Sequence, residues 1–370
     1  MGPPSTLPAA ALGENGGQIG PRGPSDQGVC LTEVARWAPA SAVTTAPAAV
    51  PTPNGDAARA GRLRSAGAVA QGLDANLTRV VKGAPGALRV AVVAALSGGH
   101  LLIEDVPGVG KTVLARTLAV SLGAELSRIQ GHPDLLPGDV TGVTVYDQKT
   151  GNWDFRRGPV FSHVVLLDEL NRTPPRTQSA LLEAMDEQQV TVDGQTWPLP
   201  QPNLVLATQN PVGQLGTFPL VESQLDRFAL CATLGYPDAA TEARLALHDG
   251  GRDALANLGP VCSIAEWSAA VAATSEISVA PAIAAYAVGI ARATRDAAGV
   301  RLGASPRASI ALVRSAQAHA LVSGRGYVSP DDVAAMAVPS LAHRLVVDGD
   351  GQFAASVVSG LLATLPAPRP

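Results

Sequence analysis

The stretch EDVPGVGKT, residues 104–112, follows a short apolar run at 100–103 and precedes residues 111–122, whose apolar spacing predicts a helix. Strand, glycine turn, helix is the setting in which Gly-Lys-Thr cradles phosphate. The glycines let the backbone approach, the lysine brings charge to the β/γ end, the hydroxyl ligates Mg²⁺ and the helix start adds its positive end. On that reading Val106, Pro107, Gly108, Val109, Gly110, Lys111, Thr112 and Val113 enclose the phosphates. The strict pattern G-x-x-x-x-G-K-[ST] has a glycine where this sequence has Asp105. That position starts the loop and need not touch phosphate, so a residue with ordinary backbone angles is tolerated there. Taken alone, the stretch is equally well a glycine-rich turn, and only further motifs along the chain decide between the two.

Residues 161–167 read as a second buried strand, ending in Asp168 and Glu169. Downstream of a phosphate loop, Asp168 can hold Mg²⁺ through water and Glu169 can take a proton from an attacking water; by itself the pair is a solvated acidic turn. A third buried strand, 204–207, leads to Asn210, whose amide can orient that water or sense the γ-phosphate, or can simply form a turn before Pro211. Arg227, in Leu-Asp-Arg-Phe, is a candidate arginine finger for a neighbour's phosphate, or a salt-bridge partner of Asp226. Arg307, in Gly-Ala-Ser-Pro-Arg, can reach back to the γ-phosphate, or is an ordinary exposed helix arginine. Arg172 and Arg176 either face a neighbouring subunit or mark a solvated helix start.

The whole chain sets bounds. It has 370 residues, 46% of them hydrophobic and only 16% charged, with a net charge of −4. That composition supports a real core and gives no global electrostatic reason to bind nucleic acid or an anionic membrane. Three scattered cysteines, Cys30, Cys231 and Cys262, form no disulfide framework or zinc spacing and fit a reducing cytoplasm. No apolar run reaches the roughly 20 residues of a membrane span. No basic n-region followed by an apolar h-region opens the sequence, and a formal myristoylation pattern at Gly2 is followed directly by prolines.

Residues 1–60 are broken by Pro and Gly throughout and read as a disordered tail. Helical spacing at 63–81 and 87–96 opens an α/β domain over 61–236 that contains hairpin signals at 143–155 and 190–197. After Tyr236-Pro237 the strands stop. Residues 237–365 read as a helical domain, with Ser329-Pro330-Asp331-Asp332 as a clear helix start, and 366–370 as a short tail.

The order of these motifs resembles the MoxR family of AAA+ ATPases. The likeness is carried by Leu102-Ile-Glu-Asp-Val-Pro-Gly-Val-Gly-Lys-Thr112, His132-Pro-Asp-Leu-Leu-Pro-Gly-Asp-Val-Thr-Gly142, Asp168-Glu-Leu-Asn-Arg172, Thr177-Gln-Ser-Ala-Leu-Leu-Glu-Ala-Met185, Ala207-Thr-Gln-Asn-Pro211, Gln224-Leu-Asp-Arg-Phe228 and Gly303-Ala-Ser-Pro-Arg307. It covers about residues 60–345. Leu170, commonly Ile in the family, and Val221-Glu222-Ser223 depart from the pattern without removing a chemical group. The resemblance implies an α/β P-loop NTPase core, a parallel sheet between helices, followed by an all-α lid. It assigns Lys111 and Thr112 to ATP and Mg²⁺, Asp168 and Glu169 to Walker B, Asn210 to sensor 1, Arg227 to the finger and Arg307 to sensor 2. It makes the hairpin at 143–155 the insert of this AAA+ branch. It further implies a ring, taken as a hexamer, that hydrolyses ATP and acts as a chaperone-like machine for maturing protein complexes. Such a machine works beside a von Willebrand factor A domain protein and a client enzyme. The alternatives are a nucleic-acid remodelling motor and a nucleotide-gated scaffold. For the first, Lys149, Arg156 and Arg157 stand against Asp147 and Asp154; against the second, Glu169, Asn210 and Arg227 are all present.

Overall fold

The computed structural model describes Gly2 and residues 53–210, 216–247 and 252–368. The tail expected before residue 53 lies outside these residues. From the N-terminal side the elements are α1 (Pro53–Val80), α2 (Pro85–Ser97), β1 (Leu101–Glu104), α3 (Lys111–Ser121), β2 (Leu126–Gln130), α4 (Pro137–Thr141), β3 (Gly142–Asp147), β4 (Asn152–Arg157) and β5 (Val164–Asp168). Next come α5 (Pro175–Glu187), β6 (Gln189–Val192), β7 (Gln195–Pro198), β8 (Leu204–Gln209), α6 (Glu222–Leu225) and β9 (Leu230–Ala232). The C-terminal part holds α7 (Ala239–Leu247), α8 (Arg252–Ala256), α9 (Ile264–Thr274), α10 (Pro281–Ala293), β10 (Val300–Leu302), α11 (Pro306–Val322), α12 (Pro330–Leu341), β11 (Val346–Val347) and α13 (Gly351–Thr364).

Five strands form one sheet in the order β2-β5-β8-β1-β9, parallel at every pairing. Strand side chains alternate between faces, and the core divides accordingly. Leu101, Ile103, Val164, Leu166, Leu204 and Leu206 face α1, α2, α3 and the C-terminal helices. Leu102, Val165, Leu167, Val205 and Ala207 face α5 and the hairpins. Burial on both faces is why these strands read as unbroken apolar runs. The two hairpins, β3–β4 and β6–β7, are joined by Phe155 stacked on Trp197, ring centroids 4.9 Å apart.

Two expectations need correction, and two strands were not anticipated. The first helix begins at Pro53, inside the stretch expected to be tail. Pro53 suits a first helical position, and Arg59 and Arg62 bind Glu276 at the end of α9. Strands do not stop after residue 237: the otherwise helical lid carries one short antiparallel pair, β10–β11. Strands β2 and β9 gave no sequence signal, because Leu126–Gln130 has one buried residue, Ile129, and β9 is only three residues long.

The lid is organised around Asp332, a fully buried carboxylate at the third position of α12. Ser329 caps the helix as expected, and Asp332 returns the bond by accepting from the Ser329 N–H at 2.8 Å. Arg325 donates to both carboxylate oxygens at 2.6 and 2.7 Å, and His319 Nδ1 lies 2.7 Å from one of them. Burial pushes the Asp332 carboxyl up, but the bonds from His319, Arg325 and Ser329 outweigh it and hold the pKa down at about 2, against an ordinary 3.8. A depressed carboxyl stabilises the fold above its ordinary pKa and loses that contribution as pH falls through the folded value. Asp332→Ala should therefore destabilise the lid by about 2–4 kcal/mol, a figure reduced for the partial exposure of Arg325. It should also flatten the loss of stability between about pH 4 and pH 2. Urea titrations of both proteins across that range check both effects.

Candidate functional site

The site lies at the carboxyl ends of β1, β5 and β8. Beyond β1 the loop turns through Gly108 at φ 90° and Gly110 at φ 99°, angles that favour glycine. Helix α3 then starts at Lys111, and its first N–H groups have no intrahelical acceptor. Pro107, Gly108, Gly110, Lys111, Thr112, Val113, Asp168, Glu169 and Asn210 line a cavity of about 330 Å³. Val106 and Val109 belong to the loop but do not line the cavity: Val109 packs on the core, and Val106 contributes its carbonyl to Lys111.

Lys111 is 8% exposed. Its Nζ donates to Asp105 O at 2.6 Å, Val106 O at 3.2 Å and Asn210 Oδ1 at 3.4 Å, so all three ammonium protons have acceptors. Burial lowers its pKa, opposed by the charges of Asp105, Asp168 and Glu169.

The two acids are held differently. Asp168 accepts from Thr208 Oγ1 at 2.8 Å and from Arg128 Nη2 at 2.6 Å. Glu169 sits at φ 56° and ψ 51°, a left-handed conformation costing a non-glycine residue about 1–3 kcal/mol. Its N–H donates to Thr208 Oγ1 at 2.8 Å, so one hydroxyl fixes both acids. One Glu169 oxygen accepts from Arg172 at 3.0 Å and Gln130 at 3.2 Å, the other from Asn210 Nδ2 at 3.4 Å. The Asn210 amide thus stands between Lys111 and Glu169.

Arg172, expected either to face a neighbouring subunit or to mark a solvated helix start, is exposed and also pairs with Glu169, because the 3₁₀ turn Leu170–Arg172 puts residues three apart on one side. Sequence reading passed over Arg128, Gln130 and Thr208. The first two lie on a strand with no apolar signature, and Thr208 reads as one more residue of β8. Among the described residues no group of three or more His, Cys, Asp or Glu could hold a metal alone. The Thr112 hydroxyl and the Asp168 carboxylate fit Mg²⁺ carried by a nucleotide's phosphates, which keeps several waters and needs few protein ligands.

Arg227 and Arg307 are not in this cavity. Ala229 N–H donates to His100 O, ahead of β1, so Arg227 lies at the opposite end of the strands. Its Nη1 is buried with no hydrogen-bond partner among the described residues. The alternative to a finger, a pairing with Asp226, is absent: that carboxylate binds Ser305 at 3.0 Å and Arg344 at 3.4 Å. Arg307 Nη2 lies 2.9 Å from both oxygens of Asp186, next to Met185, whose carbonyl meets His100. The expectation that Arg307 reaches back to its own γ-phosphate is thus corrected. Its helix, α11, packs on α2 and α12.

Residues 100–230 match the family model for ATPases associated with various cellular activities, and residues 292–359 match that for the AAA lid domain. The chain is 45% identical to the uncharacterized protein YeaC of Bacillus subtilis over 75% of this chain and 87% of that protein. It is 38% identical to Chaperone MoxR1 of Mycobacterium tuberculosis over 74% of each. A crystal structure from Cytophaga hutchinsonii superposes with a TM-score of 0.77 at 33% identity, covering 85% of this chain and 99% of that one. Among the described residues no helix is long and apolar enough to cross a membrane. With 38% identity to Chaperone MoxR1 over 74% of that protein, and with both family models and the solved structure in agreement, the chain belongs to the MoxR family of AAA+ ATPases.

Proposed function

We propose that the chain binds ATP with Mg²⁺ in this cavity and hydrolyses it to ADP and phosphate. The observation that carries the reading is the convergence of Lys111, Asn210 and Glu169, with the Asn210 amide 3.4 Å from both charged groups. Lys111 and the N–H groups of the glycine turn bind the β- and γ-phosphates. Thr112 and Asp168 would hold the Mg²⁺, which would supply positive charge against the phosphate oxygens. Glu169 takes the proton of the water whose oxygen bonds to the γ-phosphorus, while the bond to the β–γ bridging oxygen breaks and ADP leaves with the electron pair. Asn210 orients that water.

Arg227 and Arg307 serve a neighbour's phosphates in a ring, taken as a hexamer. Their absence from the lining of their own cavity supports this. The ring works as a chaperone-like machine in maturing or activating protein complexes in the cytoplasm. The relative named Chaperone MoxR1 supports the chaperone role. A von Willebrand factor A domain protein and a client enzyme as partners rest on the family resemblance.

Glu169→Gln should bind ATP and lose at least about 100-fold in turnover; phosphate release at the normal rate would clear Glu169 of the base role. Arg227→Ala and Lys111→Ala should each be inactive, and mixing them should restore part of the ATPase rate, because one protomer supplies the site and the other the arginine. No restoration in mixed rings, their composition shown by native mass spectrometry, would count against an arginine acting between subunits.

A further inference from the structure

Asp105 occupies the position where the strict phosphate loop has glycine, and its side chain does not line the cavity. It is 6% exposed, and each of its polar groups is engaged. The backbone N–H donates to Gln209 O on β8 at 3.2 Å, next to Asn210, and the carbonyl accepts from Lys111 Nζ at 2.6 Å. One carboxylate oxygen accepts from Val106 N–H at 2.8 Å; the other accepts from Leu234 N–H at 2.7 Å and Gly235 N–H at 2.8 Å. Bonds from N–H groups to a carboxylate are roughly twice as strong as neutral ones, so the connector is held firmly at those two amides.

Leu234 and Gly235 belong to the segment that leaves β9 at Ala232 and enters α7 at Ala239, the only described passage from the sheet to the lid. Gly235 turns at φ 70°, and two residues on Pro237 packs against Gly83 between α1 and α2. The connector is therefore pinned at two points, and one of them is the residue that opens the phosphate loop.

We infer that Asp105 is a positioning residue that links occupancy of the phosphate loop to the sheet-to-lid connector. The inference rests on the nucleotide reading of the cavity. The three protons of Lys111 are already bound to Asp105, Val106 and Asn210, so a phosphate oxygen takes at least one of them and redistributes the rest over the loop carbonyls. Any shift of the Asp105 peptide moves a carboxylate bonded to Leu234 and Gly235. A glycine at this position would form the loop and leave the connector without that link.

The test combines nucleotide titration with amide hydrogen exchange of residues 233–236, using Mg·ADP and Mg·adenylyl imidodiphosphate as probes. In the unsubstituted protein, exchange of these amides should differ by about tenfold or more between empty and loaded states, the scale of one charge-assisted hydrogen bond. Asp105→Gly and Asp105→Asn should still bind both probes, but with fast exchange at 233–236 that no longer responds to them. They should lower kcat more than they raise KM for ATP. A staple with no coupling role would show the same exchange in empty and loaded unsubstituted protein, and that result overturns the inference without any variant having to fold. Loss of probe binding in both variants would overturn it too, by making the carboxylate part of the nucleotide site. Failure of the unsubstituted protein to bind either probe would instead remove the nucleotide reading itself.

Discussion

Strand β8 lies between β1 and β5, and the parallel register that holds it there decides which side chains meet. Glu104 stands beside Gln209, and Leu167 beside Ala207, so all three strands end at the same level. Asp105, Asp168, Glu169 and Asn210 lie directly at those ends. A slip of one residue in β8 would turn its apolar side chains to the wrong faces and carry Thr208 away from both acids. Burial on two faces thus fixes the chemistry at the strand ends: the apolar pattern sets the register, and the register sets the site.

Each charged group in the cavity already has specific hydrogen-bond partners. Lys111 is bound by its own loop and by Asn210, Asp168 by Arg128 and Thr208, and Glu169 by Arg172, Gln130 and Asn210. A triphosphate with Mg²⁺ offers a second set of partners, anionic oxygens for the lysine and a cation for the aspartate. Loading is then an exchange of partners among charged groups that stay hydrogen-bonded throughout, which avoids the heavy cost of leaving a buried charge without partners. The arginines and glutamine on the acids are the groups that such an exchange must displace.

The phosphate loop, the acidic pair and Asn210 were legible in the sequence because each is a short contiguous signal at the end of a buried run. The polar partners of those residues were not. Thr208 looks like any strand residue, and Arg128 and Gln130 sit on a strand with a single buried side chain. Asp105 was legible only as a departure from a pattern, since its partners Leu234 and Gly235 lie well over a hundred positions away and backbone N–H groups leave no trace in side-chain identity. The position of Arg307 depends on how the lid docks. That docking is set by α1, α2, α9 and α11 packing into one core, a long-range property that no local motif encodes.

All of the chemistry proposed for the cavity depends on Lys111 as its phosphate-binding charge, and calorimetric titration of Mg·ATP into the unsubstituted protein and into Lys111→Ala tests this most directly. Saturable binding is predicted in the first and none in the second, with both proteins showing the same folded circular dichroism. Equal affinity in the two folded proteins would contradict the role of Lys111, because the nucleotide would then be bound elsewhere.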